Sequence, residues 1–216
     1  MRHEPQHSEI KKCAGVRKLT PAYVSCLCSW RCVSKSSMRT YTRAFTPGGT
    51  FFFTVNLADR SKALLTNYIV ELRESVRKVR DTHPFHIDAM VVLPEHLHAI
   101  WTLPSGDTDY PSRWALIKAG FSRKLSKTEH ISVSRSKKGE RGIWQRRYWE
   151  HQIRDENDFA RHVDYIHYNP VKHGYVQSPC DWAHSSIHRF VREGCLPPDW
   201  GADYIPMEST LWGEPA

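Results

Sequence analysis

The chain has 216 residues, of which 40% are hydrophobic and 12% aromatic, which suits one domain with a sizeable core. No run of 18 apolar residues and no signal peptide is visible, so the sequence predicts neither a membrane-spanning nor a secreted protein. The formal charge of +8 and the pI of about 9.2 predict a polyanionic partner.

The first 37 residues differ in composition from the rest and show no clear apolar period. We interpret residues 1–37 as a disordered extension or a start assigned too early, and we expect their removal to leave activity intact. The domain is then expected to span residues 38–200, followed by a tail at 201–216. The six cysteines lack the spacing of a zinc site, so we expect reduced cytosolic thiols rather than the alternative, a metal cluster formed by Cys26, Cys28 and Cys32.

The first half of the domain predicts a strand, a helix and a hairpin. The β-branched and aromatic residues of Thr50–Leu57 favour a buried strand, and the apolar residues of Ser61–Arg80 recur at helical spacing until Pro84 ends the pattern. Two further apolar runs, Ile87–Leu93 and His96–Leu103, are separated by two residues. They therefore predict an antiparallel hairpin.

The second half of the domain predicts two more helices. Trp114–Leu125 forms the first, the polar segment Ser126–Gly142 is expected to be a mobile loop, and Asp155–Asn169 forms the second, with Pro170 as its stop. This order predicts an α+β fold, in which helices pack on the faces of an antiparallel sheet. The core is ferredoxin-like, a split βαβ arrangement, with an additional C-terminal helix that carries a tyrosine.

His96 and His98 are the first candidate site. Residues two apart on a strand face the same side, so the two imidazoles project together while Leu97 and Ala99 face the core. Such a pair can chelate a divalent cation and leave positions open for phosphate oxygens. Mg²⁺ or Mn²⁺ suits phosphate chemistry, whereas Zn²⁺ normally has a third strong protein ligand. The alternative is two partly exposed histidines on a solvated face. Glu95 is a candidate to orient one ring.

Tyr165 and Asn169 lie one turn apart on the last predicted helix, so a hydroxyl and an amide can meet the same metal-bound phosphate. A phenol with a pKa near ~10 is a poor nucleophile at neutral pH, but a metal or a neighbouring positive charge stabilises its phenolate. The alternative role for Tyr165 is packing, with its hydroxyl in solvent. Tyr168 and Tyr148 are the other candidate nucleophiles. Four further histidines near this helix are either proton shuttles or surface residues: His151, His162, His167 and His173.

The segment 113–154 carries twelve Lys or Arg against three Asp or Glu, whereas 155–216 is acidic overall. Tryptophans interleave this basic segment, and the combination favours nucleic-acid contact over a plain solvated face. For the tryptophans, core packing is the alternative. We expect DNA contacts from Arg113, Lys118, Arg123, Lys124, Trp144, Arg146, Arg147, Trp149 and, just past the predicted end of the tyrosine helix, Lys172.

From about Met38 to Trp200 the chain resembles the REP-associated tyrosine transposases, within the HUH superfamily of single-strand DNA endonucleases. The most specific stretches are VVLPEHLHAIWTLP at 91–104, GIWQRRYWEH at 142–151 and HVDYIHYNPVKHG at 162–174. The resemblance implies that His96 and His98 bind the metal, Mg²⁺ or Mn²⁺, that Tyr165 is the nucleophile and that Asn169 completes the metal site. Insertion-sequence transposases of the single-strand class often carry Gln at that last position. Because Asn is one methylene shorter, the helix must lie closer to the sheet.

The resemblance also implies a reaction and a partner. Tyr165 would attack a phosphodiester of single-stranded DNA, form a 5′-phosphotyrosine and free a 3′-hydroxyl, on hairpins from repetitive extragenic palindromes. Two other functions stay open: a hairpin-binding regulator that does not cleave, and a metal-dependent hydrolase that uses an activated water. We expect a bacterial cytoplasmic protein associated with the nucleoid, with no membrane contact, acting as a monomer or a homodimer.

Overall fold

The structure is a computed structural model that describes residues 45–129 and 131–202. Its four strands are β1 (Thr50–Asn56), β2 (His86–Val92), β3 (His96–Thr102) and β4 (Trp149–Gln152). Its helices are α1 (Leu64–Asn67), α2 (Ile69–Thr82), α3 (Tyr110–Lys124), α4 (Val133–Ser136), α5 (Glu156–Lys172) and α6 (Ile187–Arg192), with a 3₁₀ turn at Pro179–Asp181. None of the helices within these residues has the length and apolar character that crossing a bilayer requires.

The strands form one sheet in the order β2-β3-β1-β4, and every neighbouring pair is antiparallel. Together with α2 and α3, they follow the order strand, helix, strand, strand, helix, strand. This is the split βαβ pattern that the sequence predicts, and the α+β fold class is confirmed. The long helix α5 follows the last strand and packs on the sheet beside β2 and β3.

Side-chain alternation along the strands divides the interior into two cores. Phe51 and Phe53 of β1 lie in one core with residues of α2 and α3, together with Leu97 and Ala99 of β3. Phe52 points the other way, into the core that contains residues of α5 and α6. Helices therefore cover both faces of the sheet, and the face beneath α5 is the one that carries the candidate site.

Three local predictions need correction. The strand β4 lies inside the segment that composition marks only as basic, and it pairs with β1 along the sheet edge. The helix predicted at Ser61–Arg80 is two helices, because the backbone leaves helical geometry at Tyr68, where φ is −118° and ψ is 41°. Pro170 does not end α5. Proline removes one backbone donor, but the N–H groups of His173 and Tyr175 still bond to carbonyls of the preceding turn.

The remaining predictions have mixed outcomes. The segment 126–142, predicted as a loop, contains the one-turn helix α4. The predicted extension at 1–37 lies outside the described residues, as does the predicted tail apart from its first two residues. Cys180 is a free thiol, as expected, and Cys13, Cys26, Cys28 and Cys32 lie outside the described residues.

Candidate active site

The two histidines of β3 lie together on the sheet face that α5 covers. Their ring centroids are 4.9 Å apart, and the exposed fractions of His96 and His98 are 1% and 0%. Leu97 and Ala99 point into the opposite core, as strand alternation predicts. The alternative of two solvated surface histidines is therefore wrong.

Each histidine of the pair is held through its Nδ1 atom. His96 Nδ1 lies 3.0 Å from Glu95 Oε1, and His98 Nδ1 lies 2.9 Å from Thr54 Oγ1. Because an ionised carboxylate can only accept, His96 must donate its Nδ1 proton, and Nε2 is then the nitrogen with a lone pair for a metal. The predicted contact between Glu95 and its neighbouring histidine is present.

Glu95 is itself fixed by its surroundings. Its Oε2 accepts a hydrogen bond of 3.1 Å from the hydroxyl of Tyr175, and Arg60 lies 3.9 Å from Oε1. Burial raises the pKa of Glu95, but hydrogen bonds from His96 and Tyr175 outweigh it and lower the pKa to about 2. The carboxylate is therefore ionised at neutral pH and can orient the imidazole.

The tyrosine helix brings the candidate nucleophile to this pair. Asp155 caps the start of α5 by accepting a bond of 2.8 Å from the N–H of Asp158, and acidic residues fill its first turn. Nearly three turns later, the ring of Tyr165 stands edge-on to His98, with centroids 5.1 Å apart, and 6.0 Å from Phe52. The nucleophile and the metal pair predicted from sequence thus meet in one chain.

Three more polar residues extend the same stripe of α5. Asn169, one turn after Tyr165, is completely buried. Lys172 places its Nζ 3.3 Å from the Tyr165 hydroxyl, and the ring of His173 lies 5.1 Å from that of His96. Sequence reasoning considered Lys172 only as a DNA contact and His173 only as a proton shuttle or surface residue near this helix, because it ended the helix at Pro170. Their positions seven and eight residues after Tyr165 were the available signal.

The competing tyrosines lie elsewhere. Tyr168 packs in the core beneath α5 and α6, where burial raises its pKa. Tyr148 lies in the opposite core, 6.0 Å from Phe53 and 6.1 Å from Trp114 between ring centroids. Among the predicted nucleophiles, Tyr165 is the one that contacts the histidine pair.

The donor set beside Tyr165 fits a divalent cation. His96 and His98 can each offer an Nε2 lone pair, and Asn169 carries an amide oxygen on the facing helix. Three protein donors leave coordination positions for water or phosphate oxygens. With oxygens in those open positions, the set is compatible with the Mg²⁺ or Mn²⁺ predicted from sequence.

A second group of possible ligands has another role. His151, Asp158 and His162 have ligand atoms within 4.8 Å of one another. Asp158 Oδ2 accepts bonds from His151 Nε2 at 2.8 Å and from the N–H and Nε of Arg154 at 3.1 and 3.0 Å. His162 Nδ1 bonds to the main-chain oxygen of Asp158 at 2.7 Å. Because these atoms already serve hydrogen bonds, we interpret the group as a clamp between β4 and α5 rather than a metal site.

The pKa shifts of the clamp agree with that interpretation. Burial raises the pKa of Asp158, but hydrogen bonds from Arg154 and His151 outweigh it and hold the pKa well below its usual range. Burial lowers the pKa of His162 to about 4. At neutral pH the clamp therefore joins an anionic Asp158 to a neutral His162.

Three of the predicted DNA-contact residues use their polar groups within the protein: Arg113 and Trp144 are buried, and Lys118 is half-buried. Arg113 is 2% exposed and binds Asp107 and nearby carbonyls. The Trp144 indole donates to the carbonyl of Lys118 at 3.1 Å and packs against Phe121. Lys118 Nζ donates to the carbonyl of Gln145 at 2.6 Å and lies over the Trp144 ring. Because these groups are already used by internal partners, we interpret all three residues as structural rather than as DNA contacts.

The other predicted DNA-binding residues are more accessible. Trp149 is half-buried, edge-on to Phe52 and stacked on His151. Lys124 pairs with Glu74, and Arg146 pairs with Glu140 at 2.7 Å. Among the predicted DNA contacts, the exposed basic residues are Arg123, Lys124, Arg146 and Arg147.

Comparisons with known proteins agree on one family. No family model matches the chain. The REP-associated tyrosine transposase of Escherichia coli is 48% identical over 166 residues, 77% of this chain and 93% of the relative. A Haemophilus influenzae protein that carries the same family name is 47% identical over 167 residues, 77% of this chain and 95% of its own. A solved structure of a REP-associated tyrosine transposase bound to a REP hairpin has 46% identity and a TM-score of 0.67, and the match covers 79% of this chain and 95% of that one.

Proposed function

Because this chain belongs to the REP-associated tyrosine transposase family, we propose that it cleaves and rejoins single-stranded hairpin DNA through a 5′-phosphotyrosine formed on Tyr165. The proposal includes a divalent cation, Mg²⁺ or Mn²⁺, and REP-type hairpins as substrate. A family member bound to a REP hairpin supports the substrate class. The proposed location is the bacterial cytoplasm, at the nucleoid.

One observation carries the proposal: Tyr165 stands against His98, whose Nδ1 is held by Thr54 so that its other nitrogen can face a metal ion. The hydroxyl, the histidine pair and the buried amide of Asn169 come from two elements that pack directly on each other. Because all of them belong to one chain, the arrangement supports cleavage in cis and does not require a second protomer to supply the tyrosine.

The chemistry of the proposed step is a phosphoryl transfer. The Tyr165 oxygen bonds to phosphorus as the bond from phosphorus to the 3′ oxygen breaks. The phenol proton passes to solvent, and the departing 3′ oxygen takes up a proton. In rejoining, a 3′-hydroxyl attacks the phosphotyrosine and Tyr165 leaves, so the energy of the phosphodiester is conserved. A cation held by His96, His98 and Asn169 would supply charge that polarises the scissile phosphate.

The exposed basic residues support a DNA substrate, because they carry the charge that a phosphate backbone needs for binding. Arg123, Arg146 and Arg147 can neutralise backbone phosphates, because their side chains lie at the surface. Such contacts position the hairpin and carry no sequence information. They are equally compatible with a regulator that binds without cleaving, so the formation of a covalent bond is the property that distinguishes the proposed enzyme.

The test is a denaturing gel of the protein incubated with labelled single-stranded hairpin DNA and Mn²⁺. Wild type should give a covalent protein–DNA band, and both Tyr165→Phe and His96→Ala should abolish it. Tyr68→Phe, a change at an exposed tyrosine above the opposite core, is the matched control and should keep the band. Tight binding without an adduct would support the regulator. Cleavage that survives Tyr165→Phe would support a hydrolase with an activated water.

A further inference from the structure

Lys172 lies on the candidate nucleophile rather than on the open surface. Its Nζ is 3.3 Å from the Tyr165 hydroxyl oxygen and 5.0 Å from the centroid of the same ring. Because an ammonium has only donors, the contact is a hydrogen bond from Lys172 to the phenol oxygen. The ammonium is thus within reach of the atom that attacks phosphorus in the proposed reaction.

The continuation of α5 through Pro170 makes this contact possible. Two helical turns separate Lys172 from Tyr165, a rise of about 10 Å. Helical side chains lean toward the N-terminus, so a long lysine side chain on the same face can span much of that distance. A helix that ended at Pro170 would not fix Lys172 on the tyrosine stripe.

We propose that Lys172 is a catalytic residue that stabilises negative charge on the Tyr165 oxygen during both strand cleavage and rejoining. This inference rests on the proposed function, since it concerns the same nucleophile. In cleavage, the ammonium favours the phenolate after its proton has passed to solvent. In rejoining, the phosphorus–oxygen bond to Tyr165 breaks and the bonding pair stays on the phenol oxygen, where Lys172 neutralises it. Lys172 keeps its own protons throughout.

The competing role for Lys172 is a contact to a DNA phosphate, and the two roles differ in what they change. A phosphate contact contributes to hairpin affinity and to its salt dependence, and saturating DNA compensates for its loss. A group that stabilises charge on the nucleophile changes the rate of the bound complex. Removing one such donor typically costs about 10²-fold in rate.

The first experiment measures single-turnover formation of the covalent adduct at saturating hairpin DNA, with hairpin affinity measured separately. Lys172→Met should lower the rate by about 10²-fold, and Lys172→Arg, which keeps the charge, should recover at least tenfold of that loss. Lys78→Met, which removes an exposed charge from α2 on the opposite face, is the control and should leave the rate unchanged. If Met at position 172 prevents folding, Lys172→Gln replaces it.

A second measurement isolates the phenolate. Replacing Tyr165 with 3,5-difluorotyrosine makes the phenol more acidic, so the phenolate needs less help from a neighbouring charge. In the Lys172→Met background this replacement should restore the rate at least tenfold. A lysine that only holds DNA predicts no such rescue.

The outcomes separate the two proposals. A Lys172→Met rate within threefold of wild type at saturating DNA overturns the inference and leaves Tyr165 as the nucleophile. A loss of rate without rescue by difluorotyrosine also overturns it. An adduct that persists in Tyr165→Phe, run beside these variants, overturns the proposed function itself.

Discussion

Replacing Arg113 by Met should destabilise the fold without removing a DNA contact. The guanidinium bonds to both carboxylate oxygens of Asp107, at 3.1 and 2.5 Å, and to the carbonyls of His83, Pro84 and Asp109 at 3.2, 2.8 and 2.7 Å. Removing one partner of a buried ion pair typically costs about 3–5 kcal/mol. Since the side chain of Asp107 is 29% exposed, we expect a loss near the lower limit, about 3 kcal/mol.

Urea unfolding measures this loss. With a slope of about 2 kcal/mol/M, the midpoint should fall by roughly 1.5 M at an unchanged slope. The matched control is Arg123→Met, an exposed position on the same helix, whose effect on stability should stay within about 0.5 kcal/mol. The hydrogen bonds from Arg113 lower the pKa of Asp107, so this pairing contributes above the unfolded pKa of 3.8, and the difference between variants should shrink as the pH falls below it.

Hairpin binding decides between the two roles of Arg113. Under conditions in which Arg113→Met is still folded, it should bind the hairpin as wild type does. Arg123→Met should weaken hairpin binding and reduce the salt dependence of that binding. A variant at position 113 that keeps wild-type stability and loses hairpin affinity would refute the reasoning. The internal contacts of the guanidinium would then not be what holds this region together.

Two further predictions concern the site and the helix that carries it. Glu95→Ala should weaken Mn²⁺ binding about 10–100-fold in calorimetry, because the carboxylate orients His96, and an unchanged affinity would contradict that role. Burial, with Arg189 and His188, lowers the pKa of His167 to about 3, so its neutral form stabilises the fold fully above pH 6.5 and less as the pH falls toward 3. His167→Gln should therefore flatten the loss of thermal stability between pH 6.5 and 4.5. If thermal stability falls as steeply with pH in His167→Gln as in wild type, His167 is not the source of the pH dependence.

The parts of the site that follow from local geometry were predictable. Strand alternation puts His96 and His98 on one face, and helical spacing puts Tyr165 and Asn169 one turn apart. Glu95 is adjacent in sequence to the ring that it orients. These relations need only the correct assignment of a strand and a helix, which the apolar patterns provide.

Properties that depend on distant partners could not be predicted in this way. Arg113 and Trp144 stand in a basic segment, and composition cannot tell that Asp107 and the Lys118 carbonyl use their polar groups. The strand β4 has four residues, WEHQ, too short for a periodic signal, and its pairing with β1 alone makes it a strand. Pro170 was given its usual meaning as a helix stop, which the continuing bonds of α5 override.

The position of Tyr165 over His98 depends on contacts at both ends of α5. Near its start, Asp158 bonds to His151 of β4, and toward its end, His167 Nε2 lies 2.9 Å from the hydroxyl of Ser186, whose N–H bonds to a carbonyl of β2. The two contacts tie the helix to opposite edges of the sheet, because β4 and β2 are its outer strands. With both ends held, the helix cannot pivot about the core between them. Residues that touch neither metal nor DNA therefore keep the nucleophile in register with the histidine pair.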